Sequence, residues 1–160
     1  MITVVLPTRN SAARLVHVLP LLVPAAVDGL VKAVVFADAG STDATLDIAE
    51  DSGAKVVRAD GDAGARLAAG CAAAKSAWVL ALGESLILPE GWRTPVEAHL
   101  AGGGAGGKPA FIAAPGLLGR PLAVLARLEA VEAAGGFKPG GDPLKALLGR
   151  LKPRGVRLRV

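Results

Sequence analysis

Asp38 closes the apolar run Val34-Val35-Phe36-Ala37, and the turn-like residues Ala39-Gly40-Ser41 follow it. A carboxylate at the carboxyl end of a strand can accept hydrogen bonds from a base N–H or a ribose hydroxyl, a use established for nucleotide-binding α/β folds. The same Asp could instead cap a helix or brace a turn. Pro7-Thr8-Arg9-Asn10 follows a second such run, and Glu84 stands just beyond a third, Ala77-Trp78-Val79-Leu80-Ala81-Leu82. Asp142 precedes Pro143, which is the pattern of a helix N-cap.

Other residues carry less chemistry. His17 and His99 stand far apart, with no metal-ligand spacing and no triad. Cys71 is the lone cysteine, so the sequence allows no internal disulfide and no Cys-rich metal site. It lies in an Ala-rich helix pattern and is expected to be a small buried residue. The run 102–107 formally satisfies G-x-G-x-x-G, and GGGAGGKP nearly spells a P-loop. It follows a helix pattern, and Pro109 replaces the Ser or Thr that would bind Mg²⁺, so it is read as a surface loop.

The elements that must hold these residues alternate. Residues 2–7 and 31–37 read as buried strands, 54–58 as a third short strand and 77–82 as a fourth, in the pattern of a parallel sheet. Between them lie helix patterns, the first from an Asn10 or Ser11 cap to about Leu19 or Leu22, where Pro20 and Pro24 bend or end it. The second covers about 43–52, with Ser41, Thr42 and Asp43 as cap chemistry and Asp43 expected to stabilise the helix start. The third covers 63–75. Later segments are expected to be a helix over 93–101, a strand over 110–114, an amphipathic helix over 121–133, a helix over 143–151 and an edge strand over 155–160. This βαβαβαβ order predicts an α/β fold with a mostly parallel sheet and helices on both faces.

Length and composition bound the rest. The 160 residues suit one domain. Aromatics make up 3% and there is no Tyr, which argues against single-stranded nucleic-acid binding by base stacking. The net charge is +4, concentrated at Lys138, Lys145, Arg150, Lys152, Arg154, Arg157 and Arg159. Such a segment could meet phosphates or an anionic membrane surface, or simply protect an edge strand. No basic leader and no clean membrane-spanning run is visible, so a cytoplasmic protein, peripheral to the inner face of the membrane if the basic segment binds lipid, is expected.

The pairing of VVLPTRN with DAGSTDATLDIAE resembles the nucleotide-binding half of family 2 glycosyltransferases of GT-A fold. The resemblance covers residues 2–92 well and 131–151 weakly. It implies one Rossmann-like domain, with 1–92 as the nucleotide-binding half and 93–160 as a shortened acceptor half with a basic end. It also implies that Pro7, Thr8, Arg9 and Asp38 hold the donor nucleotide. Glu84 falls where the family places its Asp-x-Asp metal motif, with Leu82 in the first acidic position. One carboxylate with phosphate oxygens and waters could hold Mg²⁺ or Mn²⁺. In Gly64-Ala65-Arg66-Leu67-Ala68-Ala69-Gly70 the usual basic residue of the family motif maps to Ala63, so Arg66 could supply the phosphate contact instead or be a simple surface Arg. Gly135-Gly136-Phe137 with Asp142 resembles the GGF…ED segment, whose Asp deprotonates the acceptor hydroxyl. Here the Glu partner is Gly141, and Asp142 is read as base, helix cap, or both.

The implied function is transfer of a sugar from a nucleotide-diphosphate sugar, inverting and metal-assisted, to an acceptor that is small, lipid-linked or supplied by a partner protein. The alternative is a non-catalytic nucleotide-sugar-binding or scaffold protein that keeps the fold.

Overall fold

The computed structural model describes residues 1–102, 107–116 and 119–160. Among the described residues seven strands form one sheet in the order β3-β2-β1-β4-β6-β5-β7. They are β1 Ile2–Thr8, β2 Val31–Asp38, β3 Lys55–Arg58, β4 Trp78–Leu82, β5 Ala110–Ala113, β6 Pro121–Arg127 and β7 Val156–Leu158. The first four strands pair in parallel, and β6 runs antiparallel to both β4 and β5. The edge strand β7 pairs in parallel with β5. The helices are α1 Ala12–Val27, α2 Thr45–Asp51, α3 Ala63–Ala72, α4 Arg93–Ala101, α5 Leu128–Ala133 and α6 Pro143–Arg150. Of the glycine-rich stretch read as a loop, residues 103–106 lie outside the described residues.

The pleat sorts the core into two layers, because successive strand residues face opposite sides. Val4, Leu6, Leu80, Leu82 and Leu125 pack with Leu15, Val18 and Leu22 of α1, Ala49 of α2 and Val96 of α4. Val5, Val79, Ala81, Val124 and Ala126 pack with Leu67 of α3, Val131 of α5 and Leu144 and Leu147 of α6. Helices therefore cover both faces, as the alternating sequence predicts.

Two elements depart from expectation. The segment 121–133 is not one helix: Pro121–Arg127 is strand β6 and only Leu128–Ala133 is helical. Leu122 through Ala126 are all buried, and a short apolar run buried on both sides carries no periodicity to separate helix from strand. Pairing with β4 and β5 decides it, and Pro121 is tolerated as the first strand residue. The other departure is α1, which runs through Pro20 and Pro24 to Val27. An internal proline costs a helix about 3 kcal/mol. The buried stripe Leu15, Val18, Leu22 and Ala25 continues past Pro20 and Pro24, and burying each of Leu15, Val18 and Leu22 returns about 1.5–3 kcal/mol. Trp92, itself buried, donates its indole N–H to the Leu21 carbonyl and pins the loop before α4 to this helix.

The third helix makes two close approaches that only glycine permits. A Cβ on Gly70 would lie 2.3 Å from Val5 Cγ1, so α3 rests directly on β1. A Cβ on Gly64 would lie 2.0 Å from the Lys138 carbonyl oxygen, so the segment after α5 runs directly over the start of α3.

Candidate functional site

The carboxyl ends of β1 and β2 are joined by a hydrogen-bonded network. Thr8 and Asp38 are partners in the parallel ladder, and the Thr8 hydroxyl donates to Asp38 Oδ1 at 2.8 Å. The Ser41 hydroxyl donates to the same oxygen, and the Gly40 and Ser41 backbone N–H groups donate to Oδ2 at 2.8 Å. Burial alone would raise the Asp38 pKa. The bonds from Ser41, Thr8 and Gly40 outweigh it and hold the carboxyl below its ordinary value. Gly40 takes φ +78, and the Arg58 guanidinium lies against it where a side chain would stand.

The network extends to the next loop. The Asn10 backbone N–H donates to Ser41 Oγ, and Asn10 Oδ1 accepts from the backbone N–H groups of Thr42 and Asp43. Asn10 adopts φ +47 to do so, a conformation Asn tolerates better than most residues. Asp43 accepts from Thr45 at the start of α2 and from the Ala12 backbone N–H at the start of α1. It therefore braces helix starts, as the sequence suggests.

Pro7, Thr8 and Asp38 are thus buried and internally bonded, whereas Arg9 and Asn10 are exposed. The expected nucleotide residues lie together at one sheet end. Asp38 spends its acceptor capacity on the chain itself.

Beside this network a cleft of about 540 Å³ opens beyond the end of β4. Glu84 and Ser85 line it from β4, Arg120 and Pro121 from the start of β6, Asp142 and Pro143 from the start of α6, Ala63 from α3 and Arg14 from α1. Because β6 is antiparallel to β4, its first residues meet the last residues of β4 at the same edge. Glu84 and Asp142, far apart in sequence, share one cavity.

Asp142 is the N-cap of α6. Its Oδ1 accepts from the Leu144 and Lys145 backbone N–H groups, so Oδ2 takes no part in the cap. The cap reading is therefore seen directly, with one oxygen left over.

Arg66 is 3% exposed at its side chain and donates from Nη2 to Glu84 Oε1 at 2.5 Å. Its Nε donates to the Asp62 carbonyl oxygen, and its buried Nη1 has no partner. A buried donor left unsatisfied costs about 1–3 kcal/mol.

A divalent ion at Glu84 would have to share that carboxylate with a buried guanidinium. Among the described residues no group of three or more His, Cys, Asp or Glu side chains converges to hold a metal. The residues present do not fit the Mg²⁺ or Mn²⁺ expected at Glu84: the charge facing this carboxylate comes from Arg66.

Three residues of this region carry no motif in the sequence. Arg14 and Arg120 reach the cleft only through the packing of α1 and the direction of β6. Asp62 caps α3 by accepting from the Ala65 backbone N–H and also accepts from the Gly140 N–H at 2.6 Å. An Asp directly before an Ala-rich helix is a cap signal, but nothing local reveals its hold on Gly140. The basic C-terminal segment is in part structural. Arg150 donates to the Ala134 and Gly136 carbonyl oxygens, and Arg157 to those of Ala114 and Gly116. Among the described residues no helix is long and apolar enough to cross a membrane.

An open α/β sheet with its polar residues gathered beyond the strand ends is the Rossmann-like arrangement, and solved structures identify the variant. Glucosyl-3-phosphoglycerate synthase from Mycobacterium tuberculosis in complex with UDP matches at TM-score 0.75 and 25% identity, over 100% of this chain and 71% of that one. The same enzyme in complex with Mn²⁺, UDP and glucosyl-3-phosphoglycerate matches at TM-score 0.72 and 25% identity, over 99% and 70%. S. aureus TarS (1–349) matches at TM-score 0.71 and 17% identity, over 98% of this chain and 57% of that one, a likeness of fold alone. The fold is GT-A. Residues 3–106 match the family described as glycosyl transferase family 2, and the chain belongs to that family. A comparison with curated proteins finds no match.

Proposed function

We propose that this protein transfers a sugar from a nucleotide-diphosphate sugar to an acceptor hydroxyl with inversion, the cleft beyond β4 being where transfer occurs. The observation that carries this reading is the convergence of Glu84, Asp142, Arg14 and Arg120 on one cavity beside the Thr8–Asp38 network. Arg9 and the backbone around Gly40 take the nucleoside, while Thr8 and Asp38 hold that surface in shape from beneath. The diphosphate lies toward the arginines. In the reaction the acceptor oxygen forms a bond to the anomeric carbon as the bond from that carbon to the diphosphate oxygen breaks. The departing nucleoside diphosphate keeps the electron pair, and the acceptor proton passes to Asp142 Oδ2, which α6 holds in place through Oδ1. Guanidinium groups stabilise the charge that develops on the leaving diphosphate.

The acceptor is a small molecule, a lipid-linked one or one presented by a partner. Arg120 at the cleft rim favours an anionic acceptor. The relative crystallised with glucosyl-3-phosphoglycerate takes one of that kind. The second reading, a nucleotide-sugar-binding protein without turnover, is favoured by the cap duty of Asp142.

Hydrolysis of UDP-glucose and GDP-mannose, with and without 3-phosphoglycerate, tests the proposal alongside titration with UDP and GDP. Turnover that falls at least a hundredfold in Asp142→Asn supports transfer with Asp142 as base. Nucleotide binding with no turnover on any donor favours the binding protein. Failure to bind either nucleotide removes both readings.

A further inference from the structure

Resting on that reading of the cleft, we infer that a nucleoside diphosphate is held here by Arg66, Arg14 and Arg120, without a divalent metal. The first observation is the side chain of Arg66: almost wholly buried, bound to Glu84 through Nη2, and left with one donor, Nη1, that no group of the chain satisfies. The second is the cleft itself, where Arg14 and Arg120 face the same space as Glu84 and Asp142. The third is the shortage of carboxylates, because Leu82 stands where a second acidic ligand would be needed and is fully buried in the core.

These features have one common explanation. A diphosphate needs positive charge and directional donors, which a metal or a set of guanidinium groups can supply. Arg14 and Arg120 line the cleft with Asp142 and Glu84, and Glu84 is already paired with the buried Arg66, so the cleft is positive before any ion enters. Glu84 has a different task from metal ligation: it holds Arg66 from one side, so that Nη1 stays free for a phosphate oxygen. Glu84 is then a positioning residue for Arg66.

The test is calorimetric titration of the intact chain with UDP and with UMP, in EDTA and in Mn²⁺. A second reading follows the Arg66 guanidinium resonance by NMR while inorganic pyrophosphate is added in EDTA. The inference expects UDP to bind in EDTA about tenfold or more tightly than UMP, with Mn²⁺ changing the UDP affinity less than about threefold. It expects Arg14→Ala and Arg120→Ala, both at exposed positions, each to weaken UDP about tenfold in EDTA, and pyrophosphate to shift the Arg66 resonance. Arg66→Lys keeps the charge but loses the fork, and is expected to weaken UDP more than UMP.

Tightening of UDP by Mn²⁺ of tenfold or more overturns the inference while leaving the transferase reading intact. So does metal-free binding that none of the three arginine variants changes. Absence of binding to UDP and GDP under both conditions removes the transferase reading itself, and this inference with it.

Discussion

The carboxylate of Asp62 serves two segments at once: one oxygen caps α3 through the Ala65 N–H, and the other accepts the Gly140 N–H at 2.6 Å. Gly140 lies two residues before Asp142, so the position of the proposed base depends on a residue outside the cleft lining.

Replacing Asp62 should therefore affect stability and catalysis together. Asp62→Asn keeps at most one of the two acceptors, because its amide nitrogen cannot accept. We expect a melting temperature lower by a few degrees and a turnover loss greater than the change in nucleotide affinity. The pH dependence has a definite sign. The Ala65 and Gly140 N–H groups lower the Asp62 pKa in the folded chain. Its contribution is complete above the unfolded value of about 4 and is lost as pH falls through the lower folded value. Melting curves from pH 7 to pH 2 should show the gap between wild type and Asp62→Asn closing at the acid end. A gap that stays constant would contradict the assignment.

Asp38 allows a similar test in the buried network. Its four donors require a carboxylate, and Asp38→Asn leaves the Gly40 and Ser41 N–H groups facing an amide in one orientation and the hydroxyls in the other. A cost of about 1–3 kcal/mol is expected in urea unfolding, from donors left unpaired. Retention of full stability would mean that the loop 39–41 is held by something other than Asp38.

Gly64 and Gly149 form a matched pair of helix glycines. Alanine gains about 1 kcal/mol in helix propensity at an unobstructed site. At Gly149 nothing lies within 4 Å of the new Cβ, and Gly149→Ala should be neutral or stabilising. At Gly64 the new Cβ meets the Lys138 carbonyl oxygen at 2.0 Å. Gly64→Ala should cost about 1–3 kcal/mol from overpacking. Denaturant midpoints of the two variants should move in opposite directions or differ by at least that amount.

Cys71 should be inert in the folded chain. It is buried, and burial pushes the thiol up to about 12. The thiolate is the reactive form, so alkylation by iodoacetamide at pH 8 is expected to be slow in buffer and rapid in urea. Fast labelling of the native chain would show that α3 opens from the sheet.

The β1–β2 end of the sheet was legible because its signals are local. VVLPTRN and FADAGSTD each end a buried strand, and the structure places both at one sheet end with Thr8 bonded to Asp38. The helix over 93–101 and the edge strand near the C-terminus were readable for the same reason. What stayed hidden depends on partners distant in sequence. Pro121–Arg127 is apolar on both faces, and only β4 and β5 make it a strand. Arg14 and Arg120 have no motif because their common cleft exists only once the sheet is assembled. Arg66 was visible as a basic residue, but its burial and its bond to Glu84 were not. That bond turns a candidate metal ligand into the anchor of a guanidinium.

The reversed direction of β6 has a further consequence. In a wholly parallel sheet, every residue at this edge would come from a segment that leads into a crossover helix, and changing one would disturb the helix behind it. Here one wall of the cleft is the entry to a strand instead. Arg120 sits in the hairpin connection between β5 and β6, where its carbonyl oxygen accepts the Ala114 N–H, so hairpin register sets this wall. The two walls of the cleft therefore answer to different constraints, one to strand ends and helix starts and the other to the register of a hairpin.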